Sequence, residues 1–123
     1  MSVIVTDQGF APGDEAEAPE LGPTTDLDAL PAETLAAPML RVAFASFADG
    51  RGFTVARRLR AAGYTGRLRA CGPLIADQYA MARRAGFDEV EIPDEIAARQ
   101  PVGQWRFRAD GWQALDYRAR LRA

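Results

Sequence analysis

Two glycine-bearing turns hold the side chains best placed for chemistry. The first is Asp49-Gly50-Arg51-Gly52-Phe53, the second is Cys71-Gly72-Pro73, and Asp77-Gln78 follows shortly after. An arginine beside glycines that admit close backbone approach, at a helix start with unpaired N–H groups, is the chemistry of oxyanion binding. Asp49 would then cap or orient rather than touch the anion. The same string also reads as a plain tight turn. Gly50-x-Gly52 begins like a dinucleotide fingerprint, but Val55 stands at the third glycine position and no acid ends the next strand to hold a ribose. A nicotinamide site of that type is not expected.

The composition narrows the chemistry further. The 123 residues include no histidine, no lysine and one cysteine, Cys71. No Ser-His-Asp triad, Cys-His pair, Schiff-base lysine or Walker lysine can be built from them. A single cysteine allows no intrachain disulfide and no cysteine-based metal site within one chain, and no metal site is assigned. Any catalysis must come from carboxylates, arginine, tyrosine, Cys71 or a bound cofactor, and the residues specify no cofactor. Only Arg51 or Arg69 is available to lower the Cys71 pKa. All fifteen cationic residues are arginine, which suits anion recognition and equally suits an arginine-biased genome.

Net charge is −2, yet residues 1–40 carry eight acidic groups and no basic one, while 41–123 carry fifteen arginines against nine acids. One half is expected to lie on the other. Residues 3–6 suit a short strand, and Ala11 to Pro38, rich in proline, alanine, glycine and acid, reads as a linker with a turn of helix around Asp26 to Ala36. From Arg41 the pattern becomes regular. Val42 to Phe47 is a strand-length apolar run, and Val55, Ala56, Leu59 and Ala62 follow at helical spacing with Arg57, Arg58 and Arg60 pointing mostly outward. Arg67 to Cys71 is a second strand. Pro73 opens a second helix reaching about Ala85, with Asp77 in its first turn and Gln78 on its apolar stripe. Gln78 is expected to bond a buried backbone group or reach toward the first loop. Glu89 to Ile92 is the third strand. The helix exits Ala62-Gly63-Tyr64 and Ala85-Gly86-Phe87 match, so a βα unit is repeated.

Strand, helix, strand at these lengths predicts an α/β fold with a small three-stranded parallel sheet, β-α-β-α-β, built through right-handed crossovers. Arg67, Arg69 and Cys71 alternate with Leu68 and Ala70, as Glu89 and Glu91 do with Val90 and Ile92. One sheet face is therefore polar, which places both helices on the other face and favours strand order 1-2-3, with 2-1-3 as the alternative. A short helix fits Asp94 to Arg99. The segment beyond reads as irregular, its Trp105, Phe107, Trp112 and Tyr117 either covering the polar face or forming a partner surface. The divisions are thus 1–40, an acidic segment and linker; 41–93, the core; and 94–123, an aromatic and arginine-rich segment packing on it. No apolar run reaches membrane-spanning length and the first residues lack signal-peptide character, so the expected setting is cytoplasmic, away from membranes.

The elements Phe47-Ala48-Asp49-Gly50-Arg51-Gly52-Phe53, Gly66-Arg67-Leu68-Arg69-Ala70, Asp77-Gln78 and Gly86-Phe87-Asp88 occur in order over about residues 40 to 92. In this the chain resembles the bacterial family called domain of unknown function 934. Members are typically encoded beside assimilatory sulfite reductase and often labelled probable oxidoreductases. Asp49, Gly50, Arg51, Gly52, Phe53, Arg69, Asp77 and Gln78 match the family pattern and are the candidate anion-binding residues, with Arg51 and Asp77 expected to meet at a shared rim. Pro73 departs from it where many relatives carry an acid, and Cys71 is not part of it. The resemblance implies a noncatalytic accessory protein of sulfite or sulfate reduction, whose partner is the reductase, a related enzyme or a small oxyanion. The alternative is a small cofactor-assisted oxidoreductase of the same pathway. Nucleic-acid binding by the arginine-rich part ranks behind both, because the acidic segment offsets its charge.

Overall fold

The computed structural model describes residues 2–14 and 17–122, with side chains described as far as Trp112. In chain order the elements are β1 (Ser2–Thr6), β2 (Gly9–Pro12), β3 (Glu20–Leu21), α1 (Ala32–Leu35), β4 (Met39–Ala43), α2 (Arg51–Ala61), β5 (Arg67–Cys71), α3 (Tyr79–Ala85), β6 (Glu89–Pro93), α4 (Asp94–Arg99) and α5 (Val102–Arg122). Single 3-10 turns occupy Leu27–Ala29 and Ala76–Gln78.

The strands β4, β5 and β6 pair in parallel and in sequential order. Leu40, Val42, Leu68, Ala70, Val90 and Ile92 line the face that meets Phe53, Val55, Ala56 and Leu59 of α2 and Tyr79, Ala82 and Ala85 of α3, all in one core. The opposite face carries Arg41, Arg67, Arg69, Glu89 and Glu91; Arg67 and Arg69 pair with the glutamates of the neighbouring strand β6, and Arg41 reaches past β5 to Glu91.

The sheet is not three-stranded and not purely parallel. It has six strands in the order β2-β1-β6-β5-β4-β3, with β1 antiparallel to both β6 and β2. A three-stranded unit would leave β6 as an open row of N–H and C=O groups, and β1 closes that edge. Val5 enters the core opposite Val90, and Leu21 enters it from the other edge. The stretch read as a linker therefore holds the end of β2 and the whole of β3, and the turn of helix expected around Asp26 to Ala36 is present as the Leu27–Ala29 turn and α1. The same stretch also joins opposite edges of the sheet between Pro12 and Glu20, a crossing of about 24 Å at ordinary strand spacing. The helices occupy one face, so the connection crosses the polar one, where Asp14 meets Arg69.

Three local boundaries differ from the sequence reading. The first core strand lies earlier, at Met39–Ala43, because Phe44 leaves the sheet to pack its ring between Phe53 and Phe87, with centroids 5.0 and 5.8 Å away. The helix after it starts at Arg51 rather than after Gly52. Pro73 does not open the next helix. Gly72 adopts φ +147° and its carbonyl accepts a hydrogen bond from Leu74 N at 2.8 Å, so the chain turns before Ala76 and regular helix begins only at Tyr79.

Both helix exits follow one pattern. Tyr64 N–H donates to Leu59 O and Phe87 N–H to Ala82 O, each at 3.0 Å, which is the Schellman closure with a buried aromatic after the glycine. Arg60 does not point outward. Its guanidinium donates to Gly86 O, Tyr64 O and Gly66 O at 2.7–3.0 Å and so ties the two exits together.

The irregular C-terminal segment is also corrected, since residues after Pro101 form the 21-residue helix α5. Trp105 and Ala109 are fully buried. Trp105 meets Tyr79 edge-on at 6.1 Å and donates its indole N–H to Gln100 O at 2.9 Å. The aromatic cover thus lies on α3, not on the polar sheet face. Phe107 is 69% exposed, and the Tyr117 side chain lies outside the described residues.

Gly72 and Gly63 provide a test of the turn geometry. Both have positive φ, but a Cβ on Gly72 would run into the Phe44 carbonyl, whereas nothing lies within 4 Å of one on Gly63. Gly72→Ala is expected to cost about 2–4 kcal/mol, backbone strain plus a clash, and Gly63→Ala about 1 kcal/mol. Urea midpoints of the two variants should keep that order.

Candidate functional site

The parallel strands β4 and β5 end side by side at Ala43 and Cys71, so the turns that follow share one rim. Phe44 N donates to Cys71 O at 2.8 Å, and Gly72 lies against the Phe44 backbone. Close approach here depends on the missing side chain of Gly72. The expected adjacency of the two turns is present.

Asp49 and Arg51 form a self-contained clamp at the start of α2. The Asp49 carboxylate accepts Arg51 N at 3.1 Å, Nε at 3.0 Å and Nη2 at 2.9 Å. These bonds from Arg51 hold the Asp49 carboxyl below the usual carboxylate range. The pair lies at the surface, the Arg51 side chain being 61% exposed, and Nη1 has no described partner. Gly50 caps the helix, and Gly52 is buried against the Phe44 ring.

Gln78 reaches the first loop, one of the two alternatives expected of it. Its amide Nε2 donates to Phe47 O in the first loop, while Oε1 accepts Ile75 N at 3.0 Å. The second turn thereby holds the first by a backbone group, and the tether leaves the Phe47 ring 57% exposed at the tip.

The remaining candidates go elsewhere. Phe53 is core, 4% exposed. Asp77 does not meet Arg51; it pairs with Arg108 of α5 at 2.7 Å. Arg69 is on the polar sheet face, away from the rim, and is 1% exposed. It is held by Asp14 at 2.7 and 3.0 Å, by Glu89 at 2.9 Å and by Glu91 at 3.1 Å. The Asp14 hydrogen bonds, followed by the neighbouring carboxylates against an opposing desolvation, leave its pKa above the ordinary arginine value. A guanidinium already holding three carboxylates has no edge left for an external anion. Burial pushes the Cys71 thiol up to about 11, and the nearby Arg41 offsets only part of this.

The sequence reading missed Thr54 and Arg58. Arg51, Thr54, Val55 and Arg58 stand at i, i+3, i+4 and i+7 and so share one face of α2, a spacing that was available as a signal. That face and Pro23, Thr25 and Leu27 line a cleft of about 170 Å³. A larger cleft of about 550 Å³ lies between α3 and α5, where Ala80, Arg84, Phe107, Arg108 and Trp112 meet.

A family profile described as bacterial protein of unknown function (DUF934) matches residues 20–120, which takes in β3 through α5 and both turns. The chain belongs to this family. No curated protein and no solved structure matches it. The matched span contains the whole parallel core and leaves β1 and β2 outside. Among the described residues, no helix is long and apolar enough to cross a membrane.

Three measurements test these assignments. Arg69→Ala leaves Glu89, 3% exposed, without its main buried partner, and is expected to cost about 3–5 kcal/mol in urea unfolding. Asp14→Asn should cost less, because Asp14 is 45% exposed and solvent screens its loss. Cys71 should react with a disulfide reagent about a hundredfold slower at pH 8 than a thiol of ordinary pKa, since its thiolate fraction is lower by that factor. The folded state keeps this proton over the window from about pH 9 to 11 where the unfolded chain has lost it. The thiol's contribution to stability must therefore fall as pH rises through that window. Stability rising there would contradict the assignment.

Proposed function

We propose that the chain is a noncatalytic accessory protein of assimilatory sulfite or sulfate reduction, which presents the Asp49–Phe53 loop to a reductase or to an oxyanion. The pathway comes from the family resemblance. The observation that supports this kind of role is the loop itself: an exposed Phe47 and an exposed Arg51 project from a turn fixed by the Asp49 clamp and by Gln78. An apolar ring beside a guanidinium, on a loop held in place before any partner arrives, is how recognition hot spots are built. The chemistry argues for binding over turnover, because the rim offers a carboxylate, Asp49, already committed to Arg51 and a thiol held protonated by burial.

A second reading, a small cofactor-assisted oxidoreductase of the same pathway, draws support from the cleft of about 550 Å³ between α3 and α5. Its size falls in the range that encloses drug-sized ligands, and Phe107 and Trp112 with Arg84 and Arg108 suit a planar anionic molecule. Calorimetry with flavins and nicotinamide nucleotides separates the two readings, since only the second expects heat of binding.

The accessory reading is tested with the purified chain and the assimilatory sulfite reductase of the same cell. Co-elution in gel filtration is expected, with Phe47→Ala and Arg51→Gln each weakening the complex at least about tenfold, as for interface anchors. A strain lacking the chain should grow poorly on sulfate and recover on cysteine. Absence of both the complex and the growth defect would remove the reading.

A further inference from the structure

The cleft beside α2 is shaped for a small charged ligand. Its floor is Val55, 4% exposed, and its walls are the Pro23–Leu27 turn on one side and Arg51, Thr54 and Arg58 on the other. Side chains on a helix lean toward its N-terminus, so Arg58 inclines back toward Arg51, two turns away. Between them Thr54 offers a hydroxyl with no described partner. Thr25 has already donated its hydroxyl hydrogen to Gly22 O at 2.8 Å and is left as an acceptor.

The two guanidinium groups are not equally committed. Arg51 spends Nε and Nη2 on Asp49, which fixes its plane and leaves Nη1 without a described partner. Arg58 has one described carboxylate partner, Asp28, at 3.6 Å, and that side chain is 90% exposed. Such a pair is worth little in water, so a doubly charged anion can replace Asp28 on Arg58. The helix start adds partial positive charge on the Arg51 side.

We propose that this cleft binds a small tetrahedral oxyanion of the sulfate or phosphate class, held by Arg51 and Arg58 with Thr54 donating between them, in competition with Asp28. Its volume, about 170 Å³, has room for such an ion with part of its water shell and is well below the 300–1,000 Å³ of sites for drug-sized ligands. The inference rests on the reading that the Asp49–Phe53 loop meets an oxyanion, and it extends that reading to three residues, Thr54, Arg58 and Asp28.

The test is an NMR titration of the full-length chain with sodium sulfate and, separately, sodium phosphate, against sodium chloride at matched ionic strength. Saturable shifts are expected at the Thr54 amide and at the Nε–H of Arg51 and Arg58. Arg58→Gln should weaken the affinity at least about tenfold, the worth of a charge-assisted hydrogen bond. Asp28→Asn should tighten it about two- to fivefold by removing the competitor. Both substitutions are at exposed positions, and unchanged urea midpoints will show that the fold is intact. Equal shifts with chloride, or an Asp28→Asn variant that binds no tighter, would overturn the proposal. Shifts confined to residues 49–52 would also overturn it while leaving an oxyanion at the loop. Silence throughout would overturn it as well, and co-elution with the reductase would then decide whether the loop serves a protein partner alone.

Discussion

Arg69 is a full positive charge with 1% of its surface exposed, at the centre of a sheet face that no helix covers among the described residues. A guanidinium there is tolerable only if carboxylates surround it, and three arrive from two directions: Glu89 and Glu91 from the neighbouring strand, Asp14 from the crossing connection. This network fixes more than one pair of side chains. Glu91 also accepts Ser2 Oγ at 2.8 Å and lies 3.4 Å from Arg41, so β1, β4, β5 and β6 are all joined through it. The strand order, the register of β5 against β6 and the path of residues 12–20 are then mutually dependent, because a one-residue slip would turn these charges into the apolar core.

The uneven distribution of charge along the chain follows the same logic. Asp7, Asp14, Glu20 and Asp28, all from the acidic first third, pair with Arg83, Arg69, Arg41 and Arg58 respectively. Asp7 also accepts the Tyr79 hydroxyl, which joins the β1–β2 turn to the first residue of α3. The acidic segment is thus part of the electrostatic structure, not a solvated tail. Its eight acids more than offset the net six positive charges of the arginine-rich remainder, and the loop around Arg51 remains one place where a guanidinium faces solvent.

The parallel core was legible because its signals are local. Alternation in Arg67–Cys71 and Glu89–Ile92 gave the strands and their polar face, and two Ala-Gly-aromatic exits gave the repeat. The added strands were not legible. Val3 pairs with Ile92 across 89 positions, and a five-residue strand carries no mark of so distant a partner. Helix α5 was obscured by Gly103 and Gly111, which lower helix propensity, and is settled instead by Trp105 and Ala109 packing on α3. At the site the turn and the Gln78 tether could be read from type and position. The fate of Arg69 could not, since it depends on Asp14 reaching across from the opposite edge of the sheet. Phe53 and Asp77 were misplaced for a related reason: a motif gives residue types, while the packing of Phe44 and the arrival of Arg108 decide which way they are used.

The position of β1 also bears on how the chain acquires its shape. During synthesis β6 follows its neighbour β1 by about ninety residues, with β2 to β5 emerging between them. Until then the two-stranded ribbon of β1 and β2 is too small to be stable alone, and its apolar Val3 and Val5 have no core to enter. Final closure of the sheet must wait for residues 89–93, a separation of the kind that slows folding and prolongs exposure of unpaired strands. The nascent protein is therefore most open to association with other chains, or to capture by a chaperone, in the interval before its last strand appears.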